Sequence, residues 1–303
     1  MIKKLSFIIE TDKETTEFGL WPKLGLLTPE VPPTPEPTPP PIPEPIPTPP
    51  LPPPIPKKHV LLNCINWNAT GLNTLPLDDA TEFTYFVLRV NADGTLKDGN
   101  ATLESKFVTD VHAKGKKATF SIAGGTQNVA DITAAVNEKF KLVNNIKAHM
   151  EQFGYDGVTV NIENTNIAPQ AMKDFIIFLR TALGDKIIGC YTQGYQLNTV
   201  WAKIAEYKDA FTWVSMMYYD SGVYSKDQFI ALTKQWEARV GKDRLLAGVA
   251  VNYPANSTGL STAQFSEVLD IVNAEGWKGV GIWQNVIYTE PWRQVRRLKL
   301  TNI

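Results

Sequence analysis

The chain has 303 residues, of which 43% are hydrophobic and 20% charged, with a formal net charge of −1. That balance allows a sizeable core and gives no electrostatic basis for binding nucleic acid or anionic membranes. No apolar run reaches the roughly 18 residues of a membrane span, and Cys64, Cys190, His59, His112 and His149 lack metal-ligand spacing, so no membrane insertion, metal or cofactor is expected.

The first ten residues, Met-Ile-Lys-Lys-Leu-Ser-Phe-Ile-Ile-Glu, imitate a signal peptide. The apolar stretch stops after about five residues, short of the roughly 7–15 that export by the general route requires. Residues 1–27 are too few to bury a core of their own. They nevertheless carry Phe7, Ile8, Ile9, Phe18, Leu20, Trp21, Leu24, Leu26 and Leu27. An anchoring peptide that orders against a larger protein assembly is expected, with strand addition as one route; a disordered tail is the alternative. Residues 28–58 form a linker: 17 of the 22 prolines lie between Pro29 and Pro56. Such a run builds neither helix nor ladder and favours an extended polyproline II spacer, on the order of 85 Å long at about 3.1 Å per residue. A passive stalk is the simpler reading, and a docking strip for a proline-recognising domain the other.

From His59 onward the pattern alternates between strand and helix. Strands are expected at 59–67, 83–90, 116–123, 156–163, 186–192, 211–219, 244–252 and 278–284. Amphipathic helices are expected at 138–153, 169–183, 226–240, 262–276 and 290–299. Pro169 and Pro291 stand where first-turn prolines belong, and Ser261 with Thr262 offers a cap. Eight strands in about 245 residues fit a (β/α)8 TIM barrel over 59–303. A doubly wound open sheet is the alternative, but no glycine-rich phosphate loop follows the first strand. Both cysteines sit in strand-like apolar runs and read as small buried hydrophobes.

The fourth expected strand is the most informative. It reads Tyr155-Asp-Gly-Val-Thr-Val-Asn-Ile-Glu163, with Val158, Val160 and Ile162 alternating against Thr159, Asn161 and Glu163. In a barrel that alternation turns the polar set inward and leaves Glu163 at the C-terminal tip, where active sites of this architecture lie. Three other strand ends carry Ser121-Ile-Ala-Gly124-Gly125, Met216-Met217-Tyr218-Tyr219-Asp220 and Gly279-Val-Gly-Ile-Trp283.

With these motifs the chain resembles glycoside hydrolase family 18, the chitinases and endo-β-N-acetylglucosaminidases. The resemblance rests on Ser121, Gly124 and Gly125, on Asp156-Gly157 through Glu163, on Met217, Tyr219 and Asp220, and on Trp283. It implies a glycan containing N-acetylglucosamine as partner and a substrate-assisted retaining mechanism. Glu163 would protonate the glycosidic oxygen while the substrate's own acetamido carbonyl attacks its anomeric carbon. Tyr219 would bond the acetamido oxygen, Asp220 would orient the sugar and Trp283 would floor the pocket. Gly124 and Gly125 would let the backbone approach the sugar, or merely turn the chain. Trp67 extends the platform or is a buried tryptophan.

Two departures stand out. Thr159 and Asn161 occupy positions where the family has aspartates. For Thr159 the expectation is polar filler hydrogen-bonded inside the barrel. Asn161 keeps a carbonyl acceptor but loses the charge. A charge-assisted hydrogen bond is roughly twice as strong as a neutral one, and electrostatic stabilisers of this kind contribute about 3–4 kcal/mol. Weak hydrolysis or glycan binding alone are the two expected outcomes. A third reading is a structural appendage displayed on the stalk. Without an export signal, that architecture suggests a virion, such as a bacteriophage capsid or tail decoration; a cytoplasmic protein is the alternative. Asp156 is expected to brace the strand start, Tyr218 to face the helical layer, and Trp213 and Trp236 to be core.

Overall fold

The computed structural model describes residues 58–67, 72–73, 75–163, 166–220, 224–250 and 259–283, with Asp220 described for its backbone alone. The expectations for 1–57, for a helix at 290–299 and for the Asp220 side chain lie outside these residues.

Eight parallel strands close on themselves: β1 (His59–Ile65), β2 (Glu82–Val90), β4 (Lys117–Ala123), β5 (Gly157–Asn161), β6 (Ile187–Thr192), β7 (Trp213–Met217), β8 (Leu245–Ala250) and β9 (Gly279–Trp283). Closure comes from β1, which pairs with β2 on one side and β9 on the other. The two-residue β3 (Leu96–Lys97) adds an antiparallel edge to β2. This is the (β/α)8 barrel read from the sequence; among the described residues the strands start up to two residues later and end up to two earlier than expected, except that β2 begins one residue earlier, at Glu82.

Helices wrap the outside: α1 (Ala101–Ala113), α2 (Val129–Asn137), α3 (Lys139–Phe153), α4 (Pro169–Leu183), α5 (Lys226–Val240) and α6 (Thr262–Glu275). In α4, Pro169 opens the first turn and Met172, Phe175, Ile176, Leu179 and Leu183 form the buried stripe. Ser261 and Gln264 form a capping box at the start of α6, which Gly276 ends in the left-handed region at φ 74°.

The sequence reading missed α1 and α2. The inner face of α1 carries Glu104 beside Phe107, Val108 and Val111, so the apolar stripe is interrupted by a carboxylate. Glu104 is buried because His149 Nε2 and Tyr155 Oη reach it at 2.6 and 3.1 Å. Between β6 and β7 there is no α-helix; three short 3₁₀ turns cover that side.

Strand alternation splits the core in two. Val158, Val160 and Ile162 join the large cluster between barrel and helices, whereas Leu61, Tyr191, Trp213, Met217 and Leu246 pack inside the barrel. At the floor of the interior, Glu82 is fully buried and accepts hydrogen bonds from Thr119 Oγ1 and Trp213 Nε1, each at 3.0 Å. Trp213 is therefore interior core, Trp236 is buried on the inner face of α5, and Tyr218 packs on Phe229 in the helical layer, all as expected. Among the described residues no helix is long and apolar enough to cross a membrane.

Asp156 braces the start of β5 as predicted, taking the Ala118 N–H, His112 Nε2 and Lys117 Nζ at 2.9, 2.8 and 3.0 Å. Burial raises its pKa, but those three contacts together outweigh burial and hold it below the ordinary 3.8. Its contribution to stability is therefore present above that value and lost as pH falls through the depressed one. Replacing it, Asp156→Asn, is expected to lower the melting temperature at pH 7, with the gap to the parent closing below about pH 4; a gap independent of pH counts against the assignment.

A second test concerns barrel packing. A Cβ on Gly189 would lie 2.1 Å from the Trp213 ring, which cannot swing away without losing Glu82. Gly189→Ala is expected to cost roughly 1–3 kcal/mol, read as a fall of about 2–4 °C in melting temperature per kcal/mol.

Candidate functional site

The site is built on the end of β5. Thr159 and Asn161 face the interior, the ladder ends at Asn161, and Glu163 lies two residues beyond it on the barrel rim. Two tethers fix that short extension. The fully buried Gln196 donates Nε2 to the Ile162 carbonyl at 3.0 Å, while its Oε1 accepts the Gln193 N–H at 2.8 Å. Tyr195 Oη donates to the carbonyl of Glu163 itself at 3.3 Å. Asn161 Nδ2 donates to Glu163 Oε1 at 3.0 Å, and Asn161 Oδ1 stays buried without a hydrogen-bond partner. The amide thus steadies the carboxylate with one end and offers an acceptor with the other.

Above it opens a cavity of about 400 Å3, within the usual range for small-ligand sites. Its lining includes Asn161, Glu163, Gly125, Met217, Tyr219 and Trp283. The Tyr219 and Trp283 rings lie 6.4 Å apart and within 13° of parallel, and Phe86 meets Trp283 edge-on at 4.6 Å. Trp67 stands at the mouth, 62% exposed, 6.4 Å from Trp283. Among the described lining residues Glu163 is the one carboxylate, and beside aromatic walls it suits a ligand with both apolar faces and polar edges. Beneath the cavity Tyr191 donates its hydroxyl to Asn63 Oδ1, and burial pushes that phenol well above its ordinary pKa, so it stays neutral.

The structure brings Glu163, Asn161, Tyr219, Trp283, Trp67, Gly125 and Met217 together around one cavity. Gly124 sits behind the wall at φ 123°, a conformation that needs glycine, and turns the chain after β4. Asp220 ends the short turn Tyr218–Asp220. Thr159 lies below the cavity, and the reading of it as hydrogen-bonded filler is corrected: its hydroxyl is buried without a partner, as are those of Ser121 and Ser215. Its ladder neighbours are Ser121 and Gly189, and glycine has no side chain to offer.

Sequence reasoning missed Phe86, Val87 and Thr126 in the wall, and Tyr195 and Gln196 as tethers. Phe86 had a readable signal, since it shares the inward parity of Thr84 in β2. The tethers, on a 3₁₀ turn rather than a strand, had none.

No family model matches the chain, and no curated protein matches it in sequence. Solved structures do. A glycoside hydrolase family 18 chitinase from the chitin utilization locus of Flavobacterium johnsoniae superposes with TM-score 0.70 at 17% identity, over 82% of this chain and 95% of that one. A chitinase from Bacteroides thetaiotaomicron gives 0.68 at 15%, over 82% and 99%. A class V chitinase variant from Nicotiana tobaccum, solved in complex with NAG4, gives 0.67 at 13%, over 82% and 99%. The chain therefore has the barrel fold of the family 18 chitinases.

Removing the Gln196 tether tests how the acid is held. Gln196→Leu leaves the Gln193 N–H and the Ile162 carbonyl without partners in a dry setting, at about 1–3 kcal/mol for each stranded group. The expected result is a lower melting temperature with faster amide exchange at Gln193; unchanged exchange there would show that the tether carries no load.

Proposed function

We propose that the barrel binds glycans containing β-linked N-acetylglucosamine in the cavity beside Glu163 and hydrolyses them slowly, with retention, through the substrate's own acetamido group. The observation that carries this reading is the division of labour within Asn161: Nδ2 on Glu163, and Oδ1 buried at the cavity wall without a partner. An acetamido N–H reaching Oδ1 would turn the acetamido carbonyl toward the anomeric carbon. Tyr219 and Trp283 supply the aromatic surface against which an apolar sugar face packs.

In this scheme Glu163 gives its proton to the glycosidic oxygen as the bond to the anomeric carbon breaks. The acetamido oxygen forms the replacing bond, giving an oxazolinium ion and a free alcohol. Water then opens the ring, and the carboxylate of Glu163 takes the proton back. An intramolecular nucleophile needs holding more than it needs a second protein carboxylate, which is what Asn161 can supply. It cannot supply negative charge against the positive charge that develops on the sugar, so turnover is slow.

Binding without turnover is the second reading, and the same residue favours it. Display of the barrel on the proline-rich segment, with residues 1–27 docking to a larger assembly, belongs to that reading.

The test uses an N-acetylchitooligosaccharide with a chromogenic leaving group. Glu163→Gln is expected to abolish hydrolysis and keep sugar affinity. Asn161→Asp is expected to raise kcat/KM by about 10²-fold, corresponding to restoring an electrostatic stabiliser of about 3 kcal/mol. Should Asn161→Asp bind sugar with turnover still at zero, the hydrolase reading falls and the binding reading stands.

A further inference from the structure

The two oxygens of Glu163 stand in different settings. Asn161 Nδ2 donates to Oε1 at 3.0 Å. In the neutral acid the oxygen that accepts an N–H is the carbonyl one, so the proton available for transfer sits on Oε2. Main chain packs against that oxygen: a Cβ on Gly125 would lie 3.1 Å from Oε2 and 3.7 Å from Oε1. Where the proton points therefore depends on where Gly125 is held.

Gly125 belongs to a turn that needs outside restraint. The β4–β5 ladder ends with Ala123 opposite Asn161, and α2 starts at Val129, capped by Asn128. Between them the backbone bends sharply, with Ala123 at φ 66° and Gly124 at φ 123°. An alanine in the left-handed region persists only where its surroundings hold it there.

Gln127 supplies the restraint. Its main-chain N–H closes the turn on the Gly124 carbonyl at 2.9 Å. Its buried side chain crosses to the end of β2, where Oε1 accepts the Val90 N–H and Nε2 donates to the Val90 carbonyl, both at 2.8 Å. One amide thus answers both main-chain groups of a residue 37 positions away. The far end of this clamp is itself fixed. Val90 is fully buried, and the hairpin that follows it is pressed onto α3. There Asn145 Nδ2 donates to the Gly94 carbonyl at 2.9 Å, and a Cβ on Gly94 would lie 2.8 Å from the Leu142 nitrogen.

Resting on the proposed hydrolysis, we infer that Gln127 is a positioning residue for the acid. By tying the turn after β4 to the end of β2, it holds Gly125 against Glu163 Oε2 and aims the transferable proton at the glycosidic oxygen. The tethers from Gln196 and Tyr195 fix the main chain at Glu163; Gln127, through Gly125, fixes the carboxyl. Gln127 is not among the described lining residues of the cavity, so its influence is confined to the step in which the leaving group takes a proton.

The test compares two substrates of the full chain that differ in their need for that proton: tetra-N-acetylchitotetraose, whose leaving group is a sugar alcohol, and the 2,4-dinitrophenyl glycoside of N,N′-diacetylchitobiose, whose phenolate departs unaided. The readout is kcat/KM, which covers the steps up to departure of the leaving group. Gln127→Leu is expected to lower it about tenfold or more for chitotetraose, since a small misplacement of a reacting group is costly, and less than about threefold for the dinitrophenyl glycoside. Gln127→Glu, which keeps the length of the side chain and an acceptor for the Val90 N–H, is expected to show a smaller loss of the same selectivity. It decides the matter if Gln127→Leu does not fold. An equal loss for both substrates marks a merely structural residue and overturns the inference alone, as does an undiminished rate on chitotetraose. A parent protein that cleaves neither substrate overturns the proposed hydrolysis and this inference together.

Discussion

A barrel of eight strands holds only if its first strand can pair twice, once with its successor and once with a strand more than 200 residues away. Here β1 does so, and the far contact is possible because Gly279 faces His59 in the ladder. A Cβ on Gly279 would lie 1.8 Å from the His59 carbonyl oxygen, a separation no side chain survives. Everything at the rim inherits its position from this closure. Trp283 is the last residue of β9, and it reaches the wall opposite Asn161 only because β9 is drawn against β1.

The interior below the rim is graded. Its floor is polar and tightly paired, with Glu82 held by Thr119 and Trp213 and with His59 Nε2 at 3.2 Å, close enough for an ion pair though not aligned as a hydrogen bond. A buried carboxylate is costly unless so held. The middle is an apolar plug centred on Tyr191, Trp213 and Leu246. The top holds Ser121, Thr159 and Asn161 with unspent polar atoms. Within the interior, paired polar groups gather at the floor and unspent hydrogen-bonding capacity toward the rim, the distribution expected when a fold carries its chemistry on one face.

The architecture was legible because both periodicities are strong. The period of two in 157–163 separated barrel interior from helical layer, and the proline, serine and glycine punctuation set the ends of α4 and α6. Legibility failed where one residue did two jobs. Glu104 hides α1 because a helix with a carboxylate on its inner face does not look amphipathic until His149 and Tyr155 are seen beside it. Much of the site was legible because its side chains end strands. Its tethers were not, since Tyr195 and Gln196 act through main-chain carbonyls, which carry no residue identity. The bare hydroxyl of Thr159 was likewise invisible, because a threonine in a strand gives no sign of whether its neighbours can answer it.

Cys64 and Cys190 are the chain's only sulfhydryls; each is fully buried and unpaired, and burial drives both well away from ionisation. Thiolate, not thiol, is the form that oxidants and alkylating agents attack. The folded barrel therefore offers oxidants no accessible thiolate and has no disulfide for reductants to open: once formed, its architecture stands in a reducing or an oxidising medium alike.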